Sequence, residues 1–410
     1  MKLAMIRHEL KMMMRSRKNI FFIIAILSLL LSYCLLILPT METPDSFDVE
    51  KTEEEIKNLD ALRQGMIDRG ATGFVEFTGQ TQYATDTYKR NILSRMIYAF
   101  EDEDFNRFLD LRMKINDHYA ASQTSDWMII GDAPYPSIDT MRDSELSNLR
   151  YNDYLEGDYP ITYEIIEQKT ALQTIVKFLL GTTAALIIFC AIYFSSDMLS
   201  RDRTHRSILQ GMPIGWYQLI NIKSFVAFLY TFIVLAGLAL LAVVMISIQN
   251  GFGFFQLAVP ITIPSTEPED YFGYRFSEFD TITIAKFLLL TVGIVPILIY
   301  LFIRINALLS LIFRNSWVVL MIATALFFSE RIYYSRTTTE LFGIDLSNFP
   351  QTYFDFGRII SGEKYYLLHL ESITYEKGII VLLISILIVE IALLIASRVF
   401  NKRRFYAKSA

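Results

Sequence analysis

Cysteine and histidine are scarce in this chain, two of the first and four of the second in 410 residues. Cys34 and Cys190 both fall inside apolar runs, and no disulfide between them is expected. His8, His118, His205 and His369 are scattered, with no H-E-x-x-H pair and no G-x-S-x-G elbow, which leaves hydrolysis without a visible catalytic group. No G-x-x-x-x-G-K-[ST] loop occurs, so the chain lacks a phosphate loop for ATP. The carboxylates of Glu101-Asp-Glu-Asp104 lack the glycine and terminal glutamate of an EF-hand. They read as a solvated acidic helix face, and no metal is expected on this chain. A nucleic-acid-binding patch is missing as well, because Lys and Arg gather at the ends of apolar runs, where membrane topology accounts for them.

Apolar sequence is abundant instead: 53% of residues are hydrophobic and 20% charged, so the charge must be segregated. Six runs stand out: Asn19–Leu38, Ala171–Ser196, Phe225–Ile248, Ile282–Ile303 with an extension toward Phe313, Trp317–Ser329 and Gly378–Ser397. A helix rising about 1.5 Å per residue needs roughly 20 apolar residues to cross the hydrocarbon. Most of the runs meet that length, and Trp317–Ser329 is the weak member. The first run ends at Leu38-Pro39-Thr40 without a small-residue cleavage site, so it is expected to stay as the first span. The predicted fold class is an all-α polytopic membrane protein, with six transmembrane helices and a mainly helical extracellular domain between the first and second.

Charge sets the expected orientation. Lys2, Arg7, Lys11, Arg15, Arg17 and Lys18 precede the first run, and Arg398, Lys402, Arg403, Arg404 and Lys408 follow the last, which places both termini in the cytoplasm of a multi-pass protein of the cell membrane. Six spans then put Arg201, Arg203 and Arg206 in one inner loop and Arg304 and Arg314 at another. Residues 39–170 carry 27 acids against 13 bases, so the remainder of the chain is basic although the whole is −5. The expected divisions are an interfacial helix over 1–18, spans and loops through 171–329 with outer segments 249–281 and 330–377, and a basic tail over 398–410.

The outer domain shows helical stripes: Ile56, Leu59, Leu62 and Met66 on one, then Ile92, Met96, Phe100, Phe105, Phe108, Leu109 and Met113 on a second, covering Tyr88–Ile115. From Ile161 onward one helix is expected to run straight into the second span. Residues 251–264 are too apolar for a free loop and are expected to dip into the interface or pack beneath the outer domain. Leu3, Ile6, Leu10 and Met13 or Met14 share one side of the N-terminal helix opposite its basic residues, a pattern suited to lying along the inner leaflet. Within the bilayer, Glu390 needs protein, water or a cation, and Arg304 stands at a similar depth as a candidate partner. Gly293 and Pro296 are hinge candidates in the fourth span.

Between the second and third runs, charged residues from Asp197 to Arg206 precede Ile208 and Leu209, then Gly211 and Pro213, which end a short helix. This segment with its Pro213 and Lys223, together with Leu308-Leu-Ser-Leu-Ile-Phe-Arg-Asn315 and Asn348-Phe-Pro-Gln-Thr-Tyr-Phe-Asp355 before Ile359-Ile-Ser-Gly362, resembles the permease subunits of type-2 ATP-binding cassette (ABC) transporters. Phe349 departs from the family's pattern by separating Asn348 from Pro350. The large insertion after the first span resembles that of some Gram-positive members. The resemblance implies two permease copies, identical or paralogous, with two cytoplasmic ATPase subunits docked beneath them and ATP and Mg bound only by those partners. It also implies a coupling helix within 197–213, with Asp197, Arg201, Asp202, Arg203, His205, Arg206, Ile208 and Leu209 as the coupling residues. The many Phe and Tyr fit an amphipathic export substrate, such as a peptide, antibiotic or lipid-like molecule. An ATPase-driven mechanotransmitter or peptide sensor that does not transport is the alternative, and a receptor without an ATPase is a third.

Overall fold

Ser16 interrupts the basic N-terminal stretch and divides it into α1 (Lys2–Arg15) and α2 (Arg17–Ser32), which widens into a π-helical turn over Tyr33–Ile37. The buried Asn19 amide donates to the Met13 carbonyl at 3.1 Å and holds the corner between them. The computed structural model describes residues 2–73, 81–116, 134–201, 214–264, 278–333, 338–368 and 370–400, together with 402 and 405.

After α2 the chain builds a helical cap from α3 (Val49–Asp68), α4 (Gln82–Glu101), α5 (105–116) and α6 (Pro134–Glu156). Asp48 and Thr81 cap α3 and α4 by accepting from the backbone amides of Lys51 and Ala84. The stripe read over Tyr88–Ile115 is two helices. They part at 102–104, where Glu103 adopts a left-handed φ of 55°, and the four acids from Glu101 to Asp104 are exposed at this turn. The core of the cap gathers Ile92, Met96, Phe108, Leu109, Tyr151 and Tyr154, all buried, while Leu62 of the first stripe is exposed.

One knot ties the cap together. Asp45 is buried and accepts from Arg150 Nη2 at 3.0 and 3.1 Å, from Gln168 Nε2 at 2.5 Å and from the Tyr151 hydroxyl. Burial pushes the Asp45 carboxyl up, but the guanidinium of Arg150, the Tyr151 hydroxyl and Arg112 together hold it below its ordinary value. Burial raises the Tyr151 hydroxyl to about 12. Because Gln168 lies just before the chain enters the second apolar run, the knot also fastens the cap to the bundle.

Among the described residues, four helices are long and apolar enough to cross a membrane: Arg17–Ile37, α10 (Trp216–Asn250), α11 (Ile284–Ile312) and α16 (Tyr375–Val399). The weak fifth run forms α12 (Ser316–Phe327), only 12 residues long. The second run is not one straight helix. After the short α7 (Tyr163–Ile166), a new helix α8 (Ala171–Leu180) starts at Thr170, and it parts from α9 (Ala185–Ser195) with a bend of 80°. Gly181 leaves helical geometry there with ψ 167°, and the Thr183 hydroxyl donates to the Phe178 carbonyl at 2.8 Å, satisfying a group that the break would strand.

The fold is not purely helical. Ala258–Ile263 (β1) pairs antiparallel with Glu278–Thr283 (β2), with Ala258 opposite Thr283, and this ribbon packs beneath α6 of the cap. Leu257 and Val259 are buried there, which accounts for the apolar character of 251–264. Ile282, read as the start of a span, belongs to β2. After α13 (Glu330–Tyr333), a second hairpin pairs β3 (Glu340–Leu341) with β4 (Ile344–Asp345), followed by 3-10 turns, α14 (Phe356–Ile360) and α15 (Glu363–Leu368). This stretch folds inward rather than looping free: Phe354 meets Phe302, well inside α11, at 4.9 Å and Phe327, the last residue of α12, at 5.9 Å.

Candidate functional site

At the end of the bundle where the chain begins, three elements converge on the start of the 197–213 segment. Helix α1 packs along the first turns of α10. Its buried side follows Met5, Glu9 and Met13 at four-residue spacing, with Ile6 and Leu10 half-buried beside it, while Leu3 and Met14 point outward. Glu9 is therefore a carboxylate on an inward face. Its Oε1 lies 2.8 Å from the Lys223 ammonium, which is 2% exposed, and its Oε2 lies 3.8 Å from Arg201 Nη2. One acid thus spans two cations, one from α10 and one from the start of the 197–213 segment.

Lys18 makes the neighbouring bolt. Its ammonium donates to the Tyr193 carbonyl at 3.0 Å and to Ser196 Oγ at 2.7 Å, and lies 3.8 Å from Asp197 and 4.4 Å from the centre of the Tyr193 ring. Phe22 stacks on the same ring at 3.9 Å, so α2 and α9 are joined by both a charge and an aromatic face. From the other side, the Asn306 amide of α11 donates to the Ile192 carbonyl at 2.8 Å and to Ser195 Oγ at 2.7 Å. Asp197, Ser200 and Arg201 then line an open cleft of about 540 Å³ with Arg314, Asn315 and Ser316 of the α11–α12 turn. Of the expected coupling residues, Asp197 and Arg201 stand here. Asp202, Arg203, His205, Arg206, Ile208 and Leu209 lie outside the described residues.

Higher in the bundle, Arg304 and Glu390 meet. Arg304 Nη2 donates to Glu390 Oε2 at 2.6 Å and to Asn221 Oδ1 at 2.9 Å, Nη1 donates to Ser224 Oγ at 2.9 Å, and Nε stands 2.6 Å from Glu390 Oε1. The hydroxyls of Tyr217 and Tyr300 donate to the same carboxylate at 2.9 and 2.8 Å. Helical spacing explains the assembly: Tyr300 and Arg304 are four apart on α11, and Tyr217, Asn221 and Ser224 fall on one stripe of α10. The Glu390 carboxylate is thus met by Arg304 and two tyrosine hydroxyls, partners that offset the cost of placing a charge inside a low-dielectric bundle.

Gly293 and Pro296 lie inside α11, which continues unbroken through both. A side chain on Gly293 would stand 2.5 Å from the Tyr375 hydroxyl, which donates to the Leu290 carbonyl at 3.0 Å. Gly293 is thus a notch that admits the first residue of α16.

Sequence reasoning passed over Glu9 and Lys18. Glu9 is the single acid among six bases in residues 1–18, and its position midway between Met5 and Met13 was the available signal. Lys18 counted only as topological charge, and nothing local distinguishes it.

These features define a helical membrane protein whose charged end is tied into the bundle through buried ion pairs. The chain belongs to the ABC-2 family of transporter proteins: the sequence model of that family matches residues 3–404. It is accordingly a membrane component of a transport system and not the ATPase itself, and its family works with an ABC ATPase subunit. No curated protein and no solved structure is similar enough to this chain to match it.

Proposed function

We propose that this chain is the permease subunit of an ABC exporter, moving an amphipathic peptide, antibiotic or lipid-like molecule out of the cell or its membrane. A second permease copy completes the pathway in the plasma membrane, two ATPase copies dock beneath the pair with the 197–213 segment as the coupling helix, and the termini lie in the cytoplasm. ATP and Mg belong to the ATPases, and this chain holds no cofactor of its own. The observation that supports this reading most is the convergence of Glu9, Lys223, Arg201 and Lys18 around the start of that segment. A helix pushed from below would drive three elements of the bundle at once, because the ion pairs leave it no independent path. On this reading Ile208 and Leu209 plug an apolar groove on the ATPase, and Asp197, Arg201, Asp202, Arg203, His205 and Arg206 set its register. Arg304 and Glu390 hold α10, α11 and α16 together, and Gly293 and Pro296 are where α11 would bend during alternating access.

The test is co-purification with the ATPase, followed by ATPase and vectorial-transport assays in lipid with candidate peptides and drugs. Replacing Ile208 and Leu209 together with Asp should abolish the ATPase complex while membrane insertion persists. Intact complex assembly in that variant would count against the docking segment.

The cap supports a second reading, in which the ATPase drives mechanotransmission without transport. Asp45 fastens α6 to the chain entering α8, and Ser46 donates to Glu167 at 2.6 Å, so motion of the bundle would reach the cap directly. ATP-dependent protection of the cap from protease with no substrate moved would favour that reading over export.

A further inference from the structure

The tip of the β3–β4 hairpin carries the most exposed large apolar side chain among the described residues. Phe342 is 93% exposed with φ 55°, followed by Gly343 with φ 75°. Two successive left-handed residues between paired strands form a turn whose favoured sequences are Asn-Gly and Asp-Gly. A phenylalanine in that conformation is sterically unfavourable, so turn formation does not account for its presence.

The surroundings fix the level at which this ring stands. Asp345, which closes the hairpin, accepts from Ser372 Oγ at 3.2 Å, and the Lys377 ammonium of α16 donates to Ser347 Oγ at 2.5 Å. The hairpin therefore sits beside the first turn of α16, which Thr374 caps. Directly beyond that turn the outward apolar surface of α16 begins with Ile380, Leu383 and Ile384. In a helix that crosses a bilayer this is the boundary between headgroups and acyl chains, where aromatic rings concentrate. Ile344 of the same hairpin is a second exposed apolar side chain, 49% exposed.

We propose that the hairpin is a lipid anchor, with Phe342 seated in the headgroup–acyl boundary of the leaflet nearest the cap. The occupant is lipid and not a second protein, because the hairpin is fastened beside the first turn of α16, at the depth where the outward apolar surface of that helix meets water. The anchor has a consequence inside the bundle. The chain that leaves the hairpin reaches Phe354, packed on Phe302, so a change in leaflet thickness or order felt by Phe342 bears on the inward-folded segment. This inference rests on the membrane placement of α16 and not on export, so failed transport assays leave it standing.

The experiment places an environment-sensitive fluorophore at Phe342→Cys in full-length protein reconstituted in vesicles containing lipids spin-labelled near the headgroup or near the chain end. Cys34 and Cys190 are buried, so unmutated protein taken through the same labelling serves as the blank. Emission is expected to be blue-shifted, quenched at least about twofold more by the shallow label than by the deep one, and shielded from aqueous iodide. Ile344→Cys should give the same depth order and serves as a second reporter. Phe342→Asn suits the turn better, so with the label at Ile344→Cys it should preserve folding while reducing shallow quenching. Iodide quenching without lipid quenching would overturn the proposal, as would shielding from both with Phe342→Cys cross-linking to its counterpart in a second copy.

Discussion

Arg304 is 2% exposed, and its charge is balanced by a single carboxylate with neutral donors and acceptors around both. Removing one partner strands the other, so Glu390→Leu should destabilise the bundle by about 3–5 kcal/mol, whereas Arg304→Leu with Glu390→Leu should recover most of that loss. Thermal unfolding in detergent, compared across the two single variants and the double, checks the non-additivity. If the double variant were as unstable as the sum of the singles, the two charges would not be acting as a pair. These two residues were legible in the sequence because ionisable groups at matching depth are rare in apolar runs. The Tyr217, Asn221 and Ser224 stripe was not, since those types are common near helix ends and their contact depends on how α10 is rotated.

Elements meet closely where glycine permits it. A side chain on Gly357 of α14 would fall 2.0 Å from the Leu179 carbonyl of α8, and one on Gly362 would fall 1.8 Å from the Thr262 carbonyl of β1, at a φ of +69°. Both obstacles are backbone, so neither can swing aside. Gly357→Ala and Gly362→Ala should each cost several kcal/mol, about 3 or more by analogy with other overpacked cores, and lower the yield of monodisperse protein. Gly237→Ala in α10 meets nothing within 4 Å and should be neutral or stabilising, by up to about 1 kcal/mol. Size-exclusion profiles of the three variants in one detergent make the comparison. The same contacts explain where sequence reading of the elements stopped. Run lengths gave α2, α10, α11 and α16, because hydropathy reports apolar stretches directly. The 80° break at Gly181 was invisible, since Gly-Thr-Thr-Ala fits a membrane helix by composition and the element packed against the last turn before it, α14, comes almost 180 residues later. The β1–β2 ribbon was sensed only as a stretch too apolar for a loop, because its pairing is non-local and its cover is the cap.

Across the whole molecule, the cap and the charged end are each held by one central acid, and the two acids differ in what surrounds them. Asp45 has a depressed pKa, so its contribution to stability is fully present above the unfolded value of 3.8 and is lost as pH falls through the lower folded value. Protease resistance of the cap should therefore hold from neutral pH down to about pH 5 and weaken only below the ordinary aspartate range. In Asp45→Asn the resistance should be lower throughout, and its decline in acid shallower. Glu9 serves the opposite end. Glu9→Ala removes the carboxylate 2.8 Å from the buried Lys223 ammonium, a loss of up to about 3–5 kcal/mol that should loosen α1 from α10. Because the cap is fastened separately, its protease resistance should not change. If the 197–213 segment docks the ATPase as proposed, what should change is the stimulation of the ATPase, since Arg201 loses its 3.8 Å ion pair to α1. Exchanging the charges, Glu9→Lys with Lys223→Glu, restores the α1–α10 pair but sets a cation against Arg201, so stimulation should return only in part. Full stimulation in Glu9→Ala would show that the docking segment moves the bundle without α1, and full recovery in the exchange would show that Arg201 takes no part.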